Sequence, residues 1–421
     1  MFYKETDFQD TEIGKIPHDW KKVKLKEILE EVDVRVGDTE DLKRAEVLSL
    51  TKNYGLIPQA DRFEKRVATE DLSDYKIIRQ GWLVYNPYVI WEGAIYFLKN
   101  VDLGLVSPVY VVWKTNSEVD YLFLDYLVRT KEMLNSFFRL STGAVQRRRA
   151  IKKKSFLEIP IPLPPLREQR AIAEVLGVVD SVIAKTGEVI AKTERLKKGL
   201  MQTLLTRGIG HKEFKDTEIG RIPKDWEVVK IVDACAKVKA GGTPLTSKKE
   251  YYNGDIPFVK IEDLANAQKY LKNTLITITK AGLENSSAWL VPPKSILLAM
   301  YGSIGAMAIN EIPVATNQAI LGIVPKEEKT DVEFIYYLLN FLTPHFARHA
   351  KQTTQANLTA EIVREFKIPI PPILEQRKIA EILSTVDKKL EFEKNEKAKL
   401  ERIKQGLMDL LLTGKIRIKV N

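Results

Sequence analysis

From residue 166 to residue 206 the chain contains no proline, and its apolar residues return at helical intervals. Ile172, Leu176, Val179 and Ile183 are spaced by 4, 3 and 4, and Leu196, Leu200 and Leu204 follow at 4 and 4. Ile379, Leu383, Val386 and Leu390, then Ile403, Leu407 and Leu411, write the same pattern again. Near-heptad spacing of this kind predicts two long helices, each with one apolar seam. About 40 residues of helix extend about 60 Å, more than the helices of most compact domains. Such a seam is unstable in water by itself, so each helix is expected to cover the other's. Just before each seam apolar residues alternate with proline, as IPIPLPP at 159 to 165 and IPIPPI at 368 to 373. Proline withholds a ladder N–H, so these stretches are expected to be edge or terminal strands.

The helices belong to a larger repeat. DTEIGKIPHDW at 10 to 20 returns as DTEIGRIPKDW at 216 to 226, with nine of eleven residues identical. IPLPPLREQRAIAEVL at 161 to 176 returns as IPIPPILEQRKIAEIL at 368 to 383, an offset of 207. KKGLMQTLLT at 197 to 206 returns within IKQGLMDLLLT at 403 to 413. Between these markers only faint echoes survive, such as IWEGAIYF (90 to 97) beside SIGAMAIN (303 to 310), and LVSPVYVVW (105 to 113) beside VATNQAILGI (314 to 323). A duplicated frame around diverged contents suggests one task performed on two targets, although drift in a duplicated fold leaves the same trace. The first helix leads into the phrase that opens the second variable region. By the repeat, the second helix leads back toward the phrase at 10 to 20. The chain ends are then neighbours and the helices antiparallel. The fold class expected is therefore α+β: two globular mixed α/β domains, 1–158 and 212–366, separated by two long antiparallel coiled-coil helices in the regions 159–211 and 367–421, with an internal pseudo-twofold repeat and cyclic organisation.

Composition narrows the function. A chain of 421 residues with 44% hydrophobic content suits two or three domains with sizeable cores. No apolar run reaches the roughly 18 residues of a membrane span, and the opening MFYKETDFQD has no apolar signal region. Cys235 is the only cysteine, which excludes an intrachain disulfide and leaves the cytoplasm as the expected compartment. The net charge of +10, from 66 basic and 56 acidic residues, is compatible with a polyanionic partner. The tools of catalysis are sparse. His345 and His349 have the i, i+4 spacing of a helical zinc pair, but Phe346 stands where the general-base Glu belongs. No phosphate-binding loop and no G-x-G-x-x-G follows a strand, and Tyr85-Asn86-Pro87-Tyr88 reads as a strand end. No catalytic residue, metal ligand or cofactor site is expected in this chain.

The strongest local signal is a basic block, in which six of the eight residues from 147 to 154 are Lys or Arg. Gln146, Arg147, Arg148, Arg149, Lys152, Lys153 and Lys154 suit phosphate contacts, and Arg also reads guanine edges. The corresponding place in the second half carries Gln352, Thr353, Thr354, Gln355 and Asn357, whose side chains donate to and accept from base edges, Asn and Gln suiting adenine. Lys52, Asn53, Thr243, Tyr301, Ser303, Asn317 and Gln318 are further candidates in loops with exposed polar groups. Different polar chemistry at matching places is what two readers of different sequences would present. A solvated charged face or a polar loop gives the same composition.

The twice-written IG-x-IP-x-DW, the IPxPPLxEQxxIAxxL stretch and the GLM-x-x-LLT ending resemble the specificity subunits of type I restriction–modification systems. The resemblance covers essentially the whole chain. Its motifs are specific, because three occur in order, twice, at near-equal offsets. It departs in detail: Arg167 faces Leu374, and His18 faces Lys224. The resemblance implies a non-catalytic subunit with two target-recognition domains, each binding one half of a split sequence in double-stranded DNA. The helical pair would set the gap and dock methyltransferase subunits, two of them expected, and with them the restriction and translocase subunit. S-adenosylmethionine and N6-adenine methylation would belong to the methyltransferase partner. Ile172, Leu176, Val179, Ile183, Leu200, Ile379, Leu383, Val386, Leu390 and Leu407 would form the coiled-coil and partner interface. A stand-alone nuclease or methyltransferase and a coiled-coil protein scaffold are the alternatives.

Overall fold

The computed structural model describes residues 1–38, 45–52, 55–62, 71–143, 149–351 and 358–419. It divides into two compact units, Met1–Gly187 with Glu396–Asn421 (unit 1), and Glu188–Asn395 (unit 2). Two long helices, Leu166–Arg207 and Ile373–Leu411, each give one part to either unit.

Both units are α+β, and their main sheets have the same connectivity. In unit 1 an antiparallel sheet has the order Ile95–Phe97, Leu83–Tyr85, Val111–Thr115, Leu29–Val32. Unit 2 repeats it as Met307–Asn310, Ser295–Ala299, Ile320–Pro325, Cys235–Ala240, and adds Tyr270–Leu271 parallel to Met307–Asn310. Alternate residues of these strands enter different cores, because side chains of a strand point to opposite faces. Leu83, Tyr85, Val111 and Trp113 join the core under the long helices, while Val84 and Val112 join the core on the other face. Ile296, Leu298, Leu321 and Ile323 divide from Leu297, Ala299 and Ile320 in the same manner. A sheet covered on both faces reads as a nearly continuous apolar run, as SILLA does.

The proline-rich stretches are strands of two-stranded ladders. Pro160–Leu163 pairs with Lys21–Lys24, and Lys367–Ile370 with Glu227–Lys230. The repeated phrase is a hairpin, Phe8–Thr11 with Gly14–Pro17 and Phe214–Thr217 with Gly220–Pro223. Its glycines have φ of +100° at Gly14 and +109° at Gly220, a conformation other residues enter at a cost. The tryptophan that ends the phrase is buried in each unit, and its indole N–H donates to the glutamate of the EQ pair. Trp20 reaches Glu168 at 3.1 Å, and Trp226 reaches Glu375 at 3.0 Å. Phrase, proline strand and helix start are thus one construction, which is why they recur together.

Within each unit the two long helices run antiparallel. In unit 1, Ile172 and Leu176 share a core with Met408, Leu411 and Leu412, and Leu407 packs against it. In unit 2, Leu204 and Leu205 share a core with Ile379 and Leu383, and Leu200 packs against it. Val179, Ile183 and Val386 are half-buried, and Leu390 is buried. Leu196 and Ile403 depart from the expected seam: they are 55% and 45% exposed. Steps of 4 and 4 drift off one face of a 3.6-residue helix. Their neighbours Lys197 and Lys404 turn inward instead, toward Asp387 and Asp180.

Candidate nucleic-acid interface

Each unit locks its globular part to its helices with the same three side chains. Asp180 of the first long helix accepts from Tyr126 Oη at 2.7 Å and pairs with Lys404 of the second at 2.6 Å. Asp387 of the second accepts from Tyr337 Oη at 2.6 Å and pairs with Lys197 of the first at 2.5 Å. Burial, and then the neighbouring carboxylate, push both phenols well above their ordinary range, so they remain donors. A glutamine fixes the start of each helix. Gln169 Nε2 donates to the carbonyls of Pro164 and Glu118, and its Oε1 accepts from Asp120 N–H. Gln376 repeats all three bonds with Pro371, Lys329 and Asp331.

On this common frame, each unit builds one edge from two loops. One loop joins two strands of the main sheet; the other leads toward the proline strand. In unit 1, Ile151 N–H donates to Pro87 O at 3.1 Å. In unit 2, Leu358 N–H donates to Met300 O at 3.3 Å. The bond therefore joins the flank of the basic block to Tyr88 in one unit. In the other it joins the flank of the Gln/Thr-rich stretch to Met300, the residue before Tyr301.

The unit 2 edge takes in more of the candidates. Gly242 N–H donates to Thr316 O at 3.0 Å, and Met300 N–H to Ala319 O at 2.8 Å. Gly241 lies so close to Thr316 that any side chain there would strike its carbonyl oxygen. Thr243 Oγ1 donates to Gln318 Oε1 at 2.6 Å, and Asn317 Oδ1 accepts from Ala319 N–H at 3.0 Å. Thr243, Tyr301, Ser303, Asn317 and Gln318 thus belong to one loop cluster. The amide oxygens of Asn317 and Gln318 are both engaged as acceptors.

In unit 1, Arg149 Nε donates to Ser141 O at 2.9 Å and its guanidinium lies over the Phe138 ring, 4.4 Å from the centroid. Lys152, Lys153 and Lys154 are exposed, Lys153 in an ion pair with Glu31. Lys153 and Lys154 open the short helix Lys153–Leu157. Lys52 is paired with Glu92, and its carbonyl accepts from Tyr96 Oη. Gln146, Arg147, Arg148, Asn53, Gln352, Thr353, Thr354, Gln355 and Asn357 lie outside the described residues.

Sequence reasoning missed Trp91 and Phe138 beside the basic block, which no motif marks. It also missed the Asp180–Lys404 and Asp387–Lys197 locks, although Asp180 and Asp387, and Lys197 and Lys404, share the repeat offset of 207. The single thiol, Cys235, is pushed up to about 12 by burial, and among the described residues no cluster of three or more His, Cys, Asp or Glu side chains could hold a metal ion. Among the same residues no helix is long and apolar enough to cross a membrane.

Two copies of one frame, each presenting a loop edge of different polar chemistry, define a class: a duplicated recognition protein. The model of the type I restriction modification DNA specificity domain matches residues 17–195 and again 223–402. The type I restriction enzyme MjaVIII specificity subunit of Methanocaldococcus jannaschii is 29% identical, over 100% of this chain and 98% of its own. A second protein of that organism, with a name of the same kind, is 30% identical over 100% of this chain and 99% of its own. A crystal structure of a type I restriction–modification system S subunit from M. genitalium matches the fold with a TM-score of 0.57, at 15% identity, over 96% of this chain and 97% of that one. The chain belongs to the specificity subunits of type I restriction–modification systems, non-catalytic proteins of DNA sequence recognition.

Proposed function

We propose that this chain reads a bipartite target in double-stranded DNA, each unit binding one half through its loop edge. In this reading the regions 1–158 and 212–366 are the two recognition domains, and 159–211 and 367–421 are the helical regions between them. The long helices set the gap between the half-sites and dock two methyltransferase subunits, which carry S-adenosylmethionine and methylate adenine N6. Through them the restriction and translocase subunit joins, and the complex works in the cytoplasm. One observation carries the reading: the Ile151–Pro87 and Leu358–Met300 bonds build the same edge twice, basic and aromatic in unit 1, rich in hydroxyls and amides in unit 2. Phosphate contacts would make affinity fall with salt, while the edges discriminate base pairs in the grooves.

Single-molecule sequencing of adenine methylation in host DNA, with and without this gene, tests it. A methylated split motif with a fixed gap, lost on deletion, is expected. A split motif that survives deletion assigns the reading to another protein. Inserting four residues in both long helices should lengthen the gap and leave both half-sites unchanged. Altered half-sites would count against a spacing role for the helices.

A further inference from the structure

The unit 1 edge carries an exposed aromatic and cationic shelf that the basic block alone does not describe. Phe138, 44% exposed, lies in the last turn of the helix Lys131–Leu140. Trp91 meets its ring edge to face, with centroids 6.3 Å apart and planes at 73°. Arg149, just before the Ala150–Ile151 strand that pairs with Ser141–Thr142, covers the ring, its Nε tied to Ser141 O. Tyr88, 46% exposed, stands on the adjoining loop, held by Asn86 Oδ1 at its N–H and by Ile151 at the preceding carbonyl. A large apolar ring left in water costs free energy, and here it is braced rather than withdrawn. The guanidinium is likewise fixed before anything binds, so little rotamer entropy remains to be lost.

Charge decides the occupant. Lys152 and Lys154 are exposed beside the shelf, with no counter-ion among the described residues. The neighbouring acids Glu92 and Glu31 are neutralised by Lys52 and Lys153. The face is therefore basic around an apolar centre, which suits a DNA groove between phosphates better than a protein surface.

Resting on the DNA reading above, we propose that Arg149 and Phe138 are specificity-determining residues of the unit 1 half-site. The Arg149 terminal amino groups donate to guanine O6 and N7, and the Phe138 ring edge contacts a thymine methyl. The guanidinium lies 4.4 Å from the ring centroid, close to the roughly 3.4 Å rise of one base step. In this proposal the two contacts fall on adjacent base pairs. The unit 1 half-site accordingly contains a G·C pair next to an A·T pair.

The test is adenine methylation in host cells carrying the full complex with Arg149→Lys, Phe138→Ala or Phe138→Leu. Arg149→Lys keeps the charge and loses the fork. Its preference for G·C at one position of one half-site should fall about 5- to 150-fold. Phe138→Ala should relax the adjacent A·T position, and Phe138→Leu should restore part of it. The other half-site should keep its preference. An unchanged motif in Arg149→Lys and Phe138→Ala, or a half-site without adjacent G·C and A·T pairs, overturns the proposal. Should a variant lose methylation entirely, its purified chain is titrated against duplexes differing at single positions. Equal weakening on every duplex then marks a phosphate or structural role and also overturns it. A wild-type strain with no split motif instead refutes the bipartite reading itself, before any variant is compared.

Discussion

Unit 1 closes around an arginine, unit 2 around a histidine. After each long helix a glycine with positive φ, Gly414 at +70° and Gly208 at +66°, turns the chain back against the phrase tryptophan. Three residues later comes the partner of the EQ glutamate. In unit 1 this is Arg417, which bonds Glu168, Asp19 and Glu5. In unit 2 it is His211, whose Nε2 lies 2.9 Å from Glu375 while Ile209 N–H donates to the same oxygen. The side chains of Arg417 and Glu168 are 7% and 2% exposed, those of His211 and Glu375 19% and 14%. Two equivalent joints thus carry different electrostatic loads. The unit 1 joint holds an obligatory charge in near-complete burial, and the unit 2 joint holds an imidazole that water still reaches.

Breaking the two joints should therefore have unequal cost. Arg417→Met leaves the buried Glu168 with only the Trp20 indole, and about 3–5 kcal/mol of unit 1 stability should be lost. His211→Asn removes one hydrogen bond at a wetter site, worth about 1 kcal/mol. Hydrogen exchange resolved by unit checks this, since two units make a single unfolding free energy ill-defined. Equal losses would mean that burial of the arginine network carries no special weight.

The Tyr–Asp–Lys locks sharpen the comparison from the other side, because there the units match. Asp180→Asn and Asp387→Asn should each cost about 1–2 kcal/mol, in its own unit alone. The same exchange measurement reads it, and a loss in the opposite unit would break the equivalence.

Much of this frame was legible because it is written twice. The helices, the proline edge strands and the phrase follow from spacing and from offsets of 206 and 207, and the antiparallel pairing from the order of the repeats. The slip at Leu196 and Ile403 came from counting apolar positions only. A lysine at a seam position looks like surface until its aspartate is known, and that aspartate sits on the other helix. Distance along the chain hid the edges as well. Thr243 and Gln318 are 75 residues apart, and no local pattern announces their bond. Of the unit 1 shelf, Arg149 stood out by charge, whereas Phe138 and Trp91 look like ordinary core aromatics until their exposure is seen.

The smallest difference lies on the surface. Glu158 is bonded by Lys24 and Lys26, and these hydrogen bonds lower its carboxyl from 4.5 to about 2. Its counterpart in unit 2, Glu365, is bonded by Lys230. A carboxyl lowered by folding stabilises above its unfolded range, and that stabilisation is lost as pH falls through the folded value. The Glu158 contribution should therefore be full at neutral pH and fade between roughly 4.5 and 2. An acid titration of Glu158→Gln beside the parent chain checks it. Identical acid sensitivity of unit 1 in the two would remove Glu158 from the account.

The pairing of Phe2–Lys4 with Ile416–Ile418 also has a meaning in time. A ribosome makes Met1–Gly187 first and Glu396–Asn421 only after the whole of unit 2. At about 5–20 residues per second, unit 1 waits roughly 10–40 s for the segment that brings Leu411 into its core and Arg417 to Glu168. Unit 2 is one continuous stretch and is under no such delay. The second half of the chain is therefore the first that can finish folding. During the wait the half-built first domain exposes the apolar surface that chaperones bind and proteases find.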